Sequence, residues 1–219
     1  LMWKNQSNLV RAAVHRAVTE PASIETIKIA SPGPEEVRVE VSACAICHSD
    51  LMYIDGGWST TFPLVLGHEV SGRVIEIGEN VSNVSVGSPV VVSLIRSCGK
   101  CRFCSKGQDV ACQETVALDE RSPLTDKDGG TIFQGLNTGG FAEQVLVHCS
   151  QIVEIPEVTE PDKVITLQLL SGEKEAKKYK TKALEKSIII TDEVHGDAEV
   201  IVKSELDGFT IYGFKDNNL

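Results

Sequence analysis

Cys98, Cys101, Cys104 and Cys112, in the run SCGKCRFCSKGQDVAC, are spaced so that their sulfurs can converge on one tetrahedral ion. Zinc takes four sulfur ligands at about 2.3 Å, and a shell of four thiolates leaves no position for a substrate, so the expected role is structural. An iron–sulfur cluster or free thiols are the alternatives. Four thiolates on one divalent ion leave net negative charge, which Lys100, Arg102 and Lys106 in the same loop can offset. A second set lies upstream: Cys47, Ser49 and Asp50 in ACAICHSDL, and His68 and Glu69 in VLGHEVSG. Thiolate and imidazole are both zinc donors. Taken singly, a cysteine on a strand more often fills core space and a histidine more often makes a structural hydrogen bond.

The composition narrows the classes. Seven cysteines in 219 residues could form a disulfide framework in a short secreted chain. The opening LMWKNQSNLVRAAVHRAV, however, has no apolar stretch of the signal-peptide kind, so a reducing, cytoplasmic setting is expected. A formal charge of −10 repels phosphate backbones and argues against a nucleic-acid partner. No apolar run reaches membrane-spanning length, so no membrane partner is expected either.

Short alternating runs must position these residues. Glu36–Val41, Val70–Ile77, Val90–Leu94 and Val145–Val147 read as strands, separated by turn segments such as SPGPEE and ENVSNVSVGSPV. That spacing predicts a mainly β domain built on a small, partly open barrel rather than a βαβ sheet. From Glu157 the character changes. Glu173–Lys186 is Lys/Glu-rich and helix-prone, while Ile188–Ile190, Val200–Val202 and Phe209–Phe214 look strand-like, so residues 158–219 read as a short α+β tail of unknown fold.

Taken in order, SPGPEEVRVEVSACAICHSDL, FPLVLGHEVSGRVIEIGENV, the four-cysteine lobe and TGGFAEQVLVHCSQIVEIP resemble the zinc-containing medium-chain alcohol dehydrogenases. The resemblance covers residues 10–157 and implies that family's N-terminal catalytic domain, a GroES-like barrel with a structural zinc lobe. It implies a role for each matching residue. Cys47 and His68 match two ligands of a catalytic zinc, and Glu69 matches an acid that approaches or replaces water on the metal. Ser49 matches the hydroxyl that takes the alcohol proton, and Asp50 the carboxylate behind the ligand histidine. His48 matches a contact to cofactor phosphate. Trp58 and Phe141 match positions lining the substrate pocket, core packing being the other reading of both. Gly67 and Gly72 match positions of close backbone approach. The implied activity is oxidation of a small alcohol, or reduction of an aldehyde, with hydride exchanged with NAD(P).

Three departures stand beside the resemblance. Met52 lies at or near the place where the family often ends its proton relay with a histidine. No cysteine follows Cys149, and Gln168–Leu170 holds no donor where a third ligand is expected, which leaves Glu69, Glu173 or His195. The G-x-G-x-x-G turn of a dinucleotide-binding fold is absent from the sequence. The sequence therefore reads as a truncated or rearranged dehydrogenase, the alternative being a non-catalytic zinc-binding remnant. Without a cofactor domain, apolar surface would be left for the tail or for a second copy to cover, giving a homo-oligomer or aggregation.

Overall fold

Valine-rich strands separated by glycine and proline turns build a closed barrel and a larger sheet beside it. The computed structural model describes residues 8–155 and the backbone of four strands beyond them, 181–184, 187–190, 204–206 and 209–212. The described strands are β1 (Leu9–His15), β2 (Ser23–Ile29), β3 (Glu36–Ala45), β4 (Leu64–Val65), β5 (Glu69–Ile77), β6 (Pro89–Val92), β7 (Leu124–Thr125), β8 (Thr131–Gln134), β9 (Gln144–His148) and β10 (Ile152–Glu154), followed by β11 (Thr181–Leu184), β12 (Ser187–Ile190), β13 (Ser204–Leu206) and β14 (Phe209–Tyr212). Two short helices, α1 (His48–Ile54) and α2 (Ala117–Glu120), interrupt them. β1, β2, β7, β8 and β4 close into a barrel, and β10, β6, β5, β3, β14 and β13 form a second sheet in which β9 also pairs with β3. The mainly β barrel read from the sequence is the observed architecture, and its closure runs through the parallel pairing of β4 with β8.

The strand period of two decides where the core sits. In β9 every residue is buried. Val145 and Val147 point into one apolar cluster with Val37, Val39, Val70, Val74, Val90 and Val92, while Leu146 points into the other with Val10, Val14, Ile27, Ile29 and Ile132. Each such side chain contributes about 1.5–3 kcal/mol on burial. Phe141 packs against both clusters and joins barrel to sheet.

Two buried charges on β3 are fully engaged. Arg38 donates from Nε to Gln144 Oε1 at 2.7 Å and from Nη1 to Asn8 Oδ1 at 3.0 Å. Glu36 accepts from Arg121 at 2.6 and 2.7 Å and from the Gly33 amide at 2.9 Å. Buried charge is tolerated when paired and hydrogen-bonded in this way.

Beyond residue 155, β11 pairs with β12, and β14 runs parallel to the end of β3, with Ile211 opposite Cys44. Thr181–Leu184 is a strand where the Lys/Glu-rich composition of 173–186 reads as helix. Pairing with the isoleucine-rich β12 outweighs local propensity there. The rest of that helix-prone segment and Val200–Val202 lie outside the described residues.

β3 and β5 cross closely at Gly72. A Cβ at this position would lie 2.1 Å from the Glu40 carbonyl oxygen, which is backbone and cannot swing aside. Gly72→Ala is expected to lower stability by about 3 kcal/mol, the upper range for overpacking, read as a shift in the urea midpoint. An unchanged midpoint would show that the crossing can open freely.

Candidate metal centres

α1 begins where β3 leaves the sheet, and its first turn is organised by one carboxylate. Cys47 is the N-cap, with extended φ −102° and ψ 158°. Asp50, fully buried, accepts from the Cys47 amide at Oδ2 (2.9 Å) and from the Gly67 amide at Oδ1 (3.0 Å). A carboxylate three residues into a helix that accepts from the N-cap amide is the return half of a capping box. The second bond reaches across to the segment that enters β5. That segment needs glycine at 67: φ is +87°, and a Cβ would lie 2.6 Å from the Phe141 ring and 2.8 Å from Cys44 Sγ.

Asp50 thereby brings Cys47 to His68 and Glu69. The ligand atoms of Cys47, His68 and Glu69 lie within 4.8 Å of one another. A tetrahedral zinc with bonds of about 2.0–2.3 Å sets its donors about 3.3–3.8 Å apart, so a small contraction suffices. His68 Nδ1 is buried without a hydrogen-bond partner and sits 3.5 Å from Asp50 Oδ1. Nε2, 3.3 Å from Ser49 Oγ, is then the nitrogen left for a metal. This is the arrangement in which a carboxylate orients a ligating imidazole.

The electrostatics favour a cation. Burial pushes the Glu69 carboxyl above its ordinary range; the charge of His68 and a hydrogen bond with Cys47 act against this, and the Asp50 charge adds to it. Glu69 Oε2 is buried with no partner. Thiol, imidazole and carboxylate form a donor set that zinc accepts.

The four-cysteine lobe is the second group. Cys98, Cys101, Cys104 and Cys112 also lie within 4.8 Å of one another, with Cys104 Sγ 3.5 Å from Cys101 Sγ and 4.0 Å from Cys98 Sγ. These separations match the edges of a tetrahedral thiolate site, and all four cysteines are free of disulfides. Amides already aim at the sulfurs: Cys101 N–H donates to Cys98 Sγ at 3.3 Å and Cys98 N–H to Cys112 Sγ at 3.4 Å. Backbone donors, Cys104 first, hold the Cys101 thiol down to about 6, so one thiolate is ready at neutral pH. Arg102 lies over the Phe103 ring at 4.4 Å, and Lys100 and Lys106 are exposed.

Comparison with known proteins gives the family. The alcohol dehydrogenase GroES-like domain matches residues 33–157. The chain belongs to the alcohol dehydrogenase family. It is 34% identical over 165 residues to "Alcohol dehydrogenase class-3" of Drosophila melanogaster and 32% identical over 170 residues to "Alcohol dehydrogenase-like 7" of Arabidopsis thaliana. Each match covers 72% of the chain and 43% of the relative. The crystal structure of an alcohol dehydrogenase zinc-binding domain protein from Burkholderia ambifaria aligns with a TM-score of 0.67 at 30% identity, covering 73% of the chain and 45% of that protein. The chain thus spans less than half the length of the curated relatives it matches.

The remaining residues singled out in the sequence separate into two groups. His48 is exposed on the first turn of α1, and Trp58 is 46% exposed with its ring edge-on to Tyr53 at 5.4 Å. Phe141 is a packing residue beneath Gly67. Of the candidates for a third donor, the geometry brings in Glu69, while Glu173 and His195 lie outside the described residues. Sequence reasoning missed the clamp that hangs the lobe. Arg96 donates to Gln151 Oε1 (3.0 Å), Asp119 Oδ1 (2.8 Å) and the Asn137 carbonyl (2.9 Å). Its only signal was an arginine two residues before the first lobe cysteine.

Among the described residues no helix is long and apolar enough to cross a membrane.

The raised Glu69 carboxyl gives a signed pH dependence. The folded, metal-free protein keeps this proton to a higher pH than the unfolded chain, whose value is near 4.5. The folded state therefore binds more protons across that interval, and stability falls as pH rises from 4.5 through the raised value, then levels. Urea midpoints measured against pH in chelator should show that fall, and Glu69→Gln should flatten it. Parallel curves for the two proteins would contradict the assignment.

Proposed function

We propose that the chain is the zinc-binding catalytic portion of an alcohol dehydrogenase-type oxidoreductase, acting on a small alcohol or aldehyde with NAD(P) as hydride partner. One observation carries the reading: Cys47, His68 and Glu69 present their donors within 4.8 Å of one another, with Asp50 behind the imidazole. A four-cysteine lobe alone would support only a structural zinc. The second group, with one thiol, one imidazole and one carboxylate, leaves room for a further ligand, as catalytic zinc sites do.

In this reading Cys47 Sγ, His68 Nε2 and Glu69 hold zinc, which when bound supplies Lewis acidity toward the alcohol oxygen and lowers its pKa. Asp50 fixes His68 so that Nε2 stays unprotonated and aimed at the metal position. Ser49 Oγ, 3.3 Å from that nitrogen, would take the alcohol proton. Met52 cannot pass the proton on, so release proceeds from Ser49 through solvent. A nicotinamide cofactor, when bound, would supply the acceptor for the alcohol's hydride. His48, exposed on the first turn of α1, would meet a cofactor phosphate, and the exposed Trp58 would border the substrate.

Zinc per chain, measured on protein purified without added metal, tests the reading. Two zincs are expected, falling to one in Cys47→Ala. A single zinc unaffected by that substitution would leave only the lobe occupied and sink the catalytic assignment. Titration with NADH then asks whether this chain binds the cofactor itself. Saturation in the micromolar range supports an enzyme, and no binding up to millimolar concentration removes hydride transfer from the chain acting alone.

A further inference from the structure

We propose that Gly140 is a positioning residue for the Cys47, His68 and Glu69 centre: its missing side chain lets the 139–141 loop press against both segments that carry the donors. The proposal rests on the metal-binding reading above and concerns a residue between β8 and β9, three strands beyond β5 in the chain. Gly140 N–H donates to the Gly67 carbonyl at 2.6 Å, and Phe141 N–H donates to the Leu66 carbonyl at 2.9 Å. Two successive amides of one loop thus hold the two residues that immediately precede His68. Phe141 in turn passes its carbonyl to the Ala13 amide at 2.8 Å, which anchors the loop to β1.

The space at Gly140 is closed on three sides. A Cβ there would lie 2.3 Å from Val70 Cγ2, 2.8 Å from Cys44 Sγ and 3.1 Å from the Gly67 oxygen. Val70 follows Glu69 on β5, Gly67 precedes His68, and Cys44 stands three residues before Cys47 on β3. One methyl group would therefore push on the carriers of all three donors at once, and in different directions. No left-handed backbone angle is found at Gly140, in contrast to Gly139, so the requirement for glycine at 140 comes from contact alone. Cys44 fits the same account. Its thiol is buried, pushed well above its ordinary pKa by desolvation, and fills the gap between Gly67 and Gly140 as an uncharged spacer.

Zinc stoichiometry and affinity of Gly140→Ala, with the cobalt(II)-loaded absorption spectrum, test the proposal. The lobe zinc and the four-thiolate cobalt bands should remain, while affinity at the second site drops by about 10–100-fold, the range for residues that orient ligands. A purely structural role would lower both equivalents together. In a background with Val70→Ala and Cys44→Ala, which removes the two nearest atoms, Gly140→Ala should fold and regain the second zinc. That background also carries the test should the single variant not fold. Retention of two zincs at wild-type affinity in Gly140→Ala overturns the proposal, as does failure of the relieved background to restore the second. If the unmodified chain holds one zinc and Cys47→Ala changes nothing, the metal-centre reading itself falls, and the two failures are thereby distinguished.

Discussion

The structure around the candidate centre depends on where one buried negative charge is satisfied. Asp50 has no exposure to solvent, yet it accepts from two backbone amides that belong to separate parts of the chain, Cys47 at the N-cap of α1 and Gly67 at the entry to β5. A buried carboxylate left with one of these bonds would pay a desolvation cost of several kcal/mol. That penalty turns a local helix cap into a long-range tie. Both segments then carry donors at fixed separation, and the side of Asp50 that remains faces His68 Nδ1. The same carboxylate therefore sets backbone position and imidazole orientation together.

The two cysteine-containing groups are built on different physical principles. The lobe is nearly self-contained: its four donors come from one fifteen-residue stretch, Cys98 to Cys112, and backbone amides within that stretch already point at the sulfurs. Its attachment to the body runs through Arg96, Gln151 and the bond from the Ser97 amide to Ser150 Oγ at 3.0 Å. The second group is assembled from β3, α1 and β5 and has no meaning without the sheet. Losing metal should thus loosen the lobe locally, whereas the Cys47 group is held in place by sheet packing before any metal arrives.

This difference explains what could be read from the sequence. Local spacing made the lobe legible outright, and the strands at Glu36–Val41, Val70–Ile77 and Val145–Val147 followed from alternation. The Cys47 and His68 pairing was legible only through resemblance, because α1, a loop and the two-residue β4 separate them and no periodicity links the two. Gly140 was invisible. TGGF reads as a turn, and only coordinates show that its second glycine abuts Val70 and the Gly67 carbonyl. The strand at Thr181–Leu184 failed for the opposite reason: lysine and glutamate content speaks for helix, and the pairing partner that decides otherwise lies in the next segment.

Charge provides the last link between scaffold and chemistry. Cys47, Glu69 and Asp50 place three acidic groups around one imidazole in a site where His68 and Glu69 are both buried. Burial already holds the Glu69 carboxyl toward its neutral form. A divalent ion held by Cys47, His68 and Glu69 would oppose that effect, since its charge favours the deprotonated forms of its ligands. The sheet holds the three donor atoms within 4.8 Å of one another. The same closeness, costly for buried acidic groups alone, is what a dication would offset.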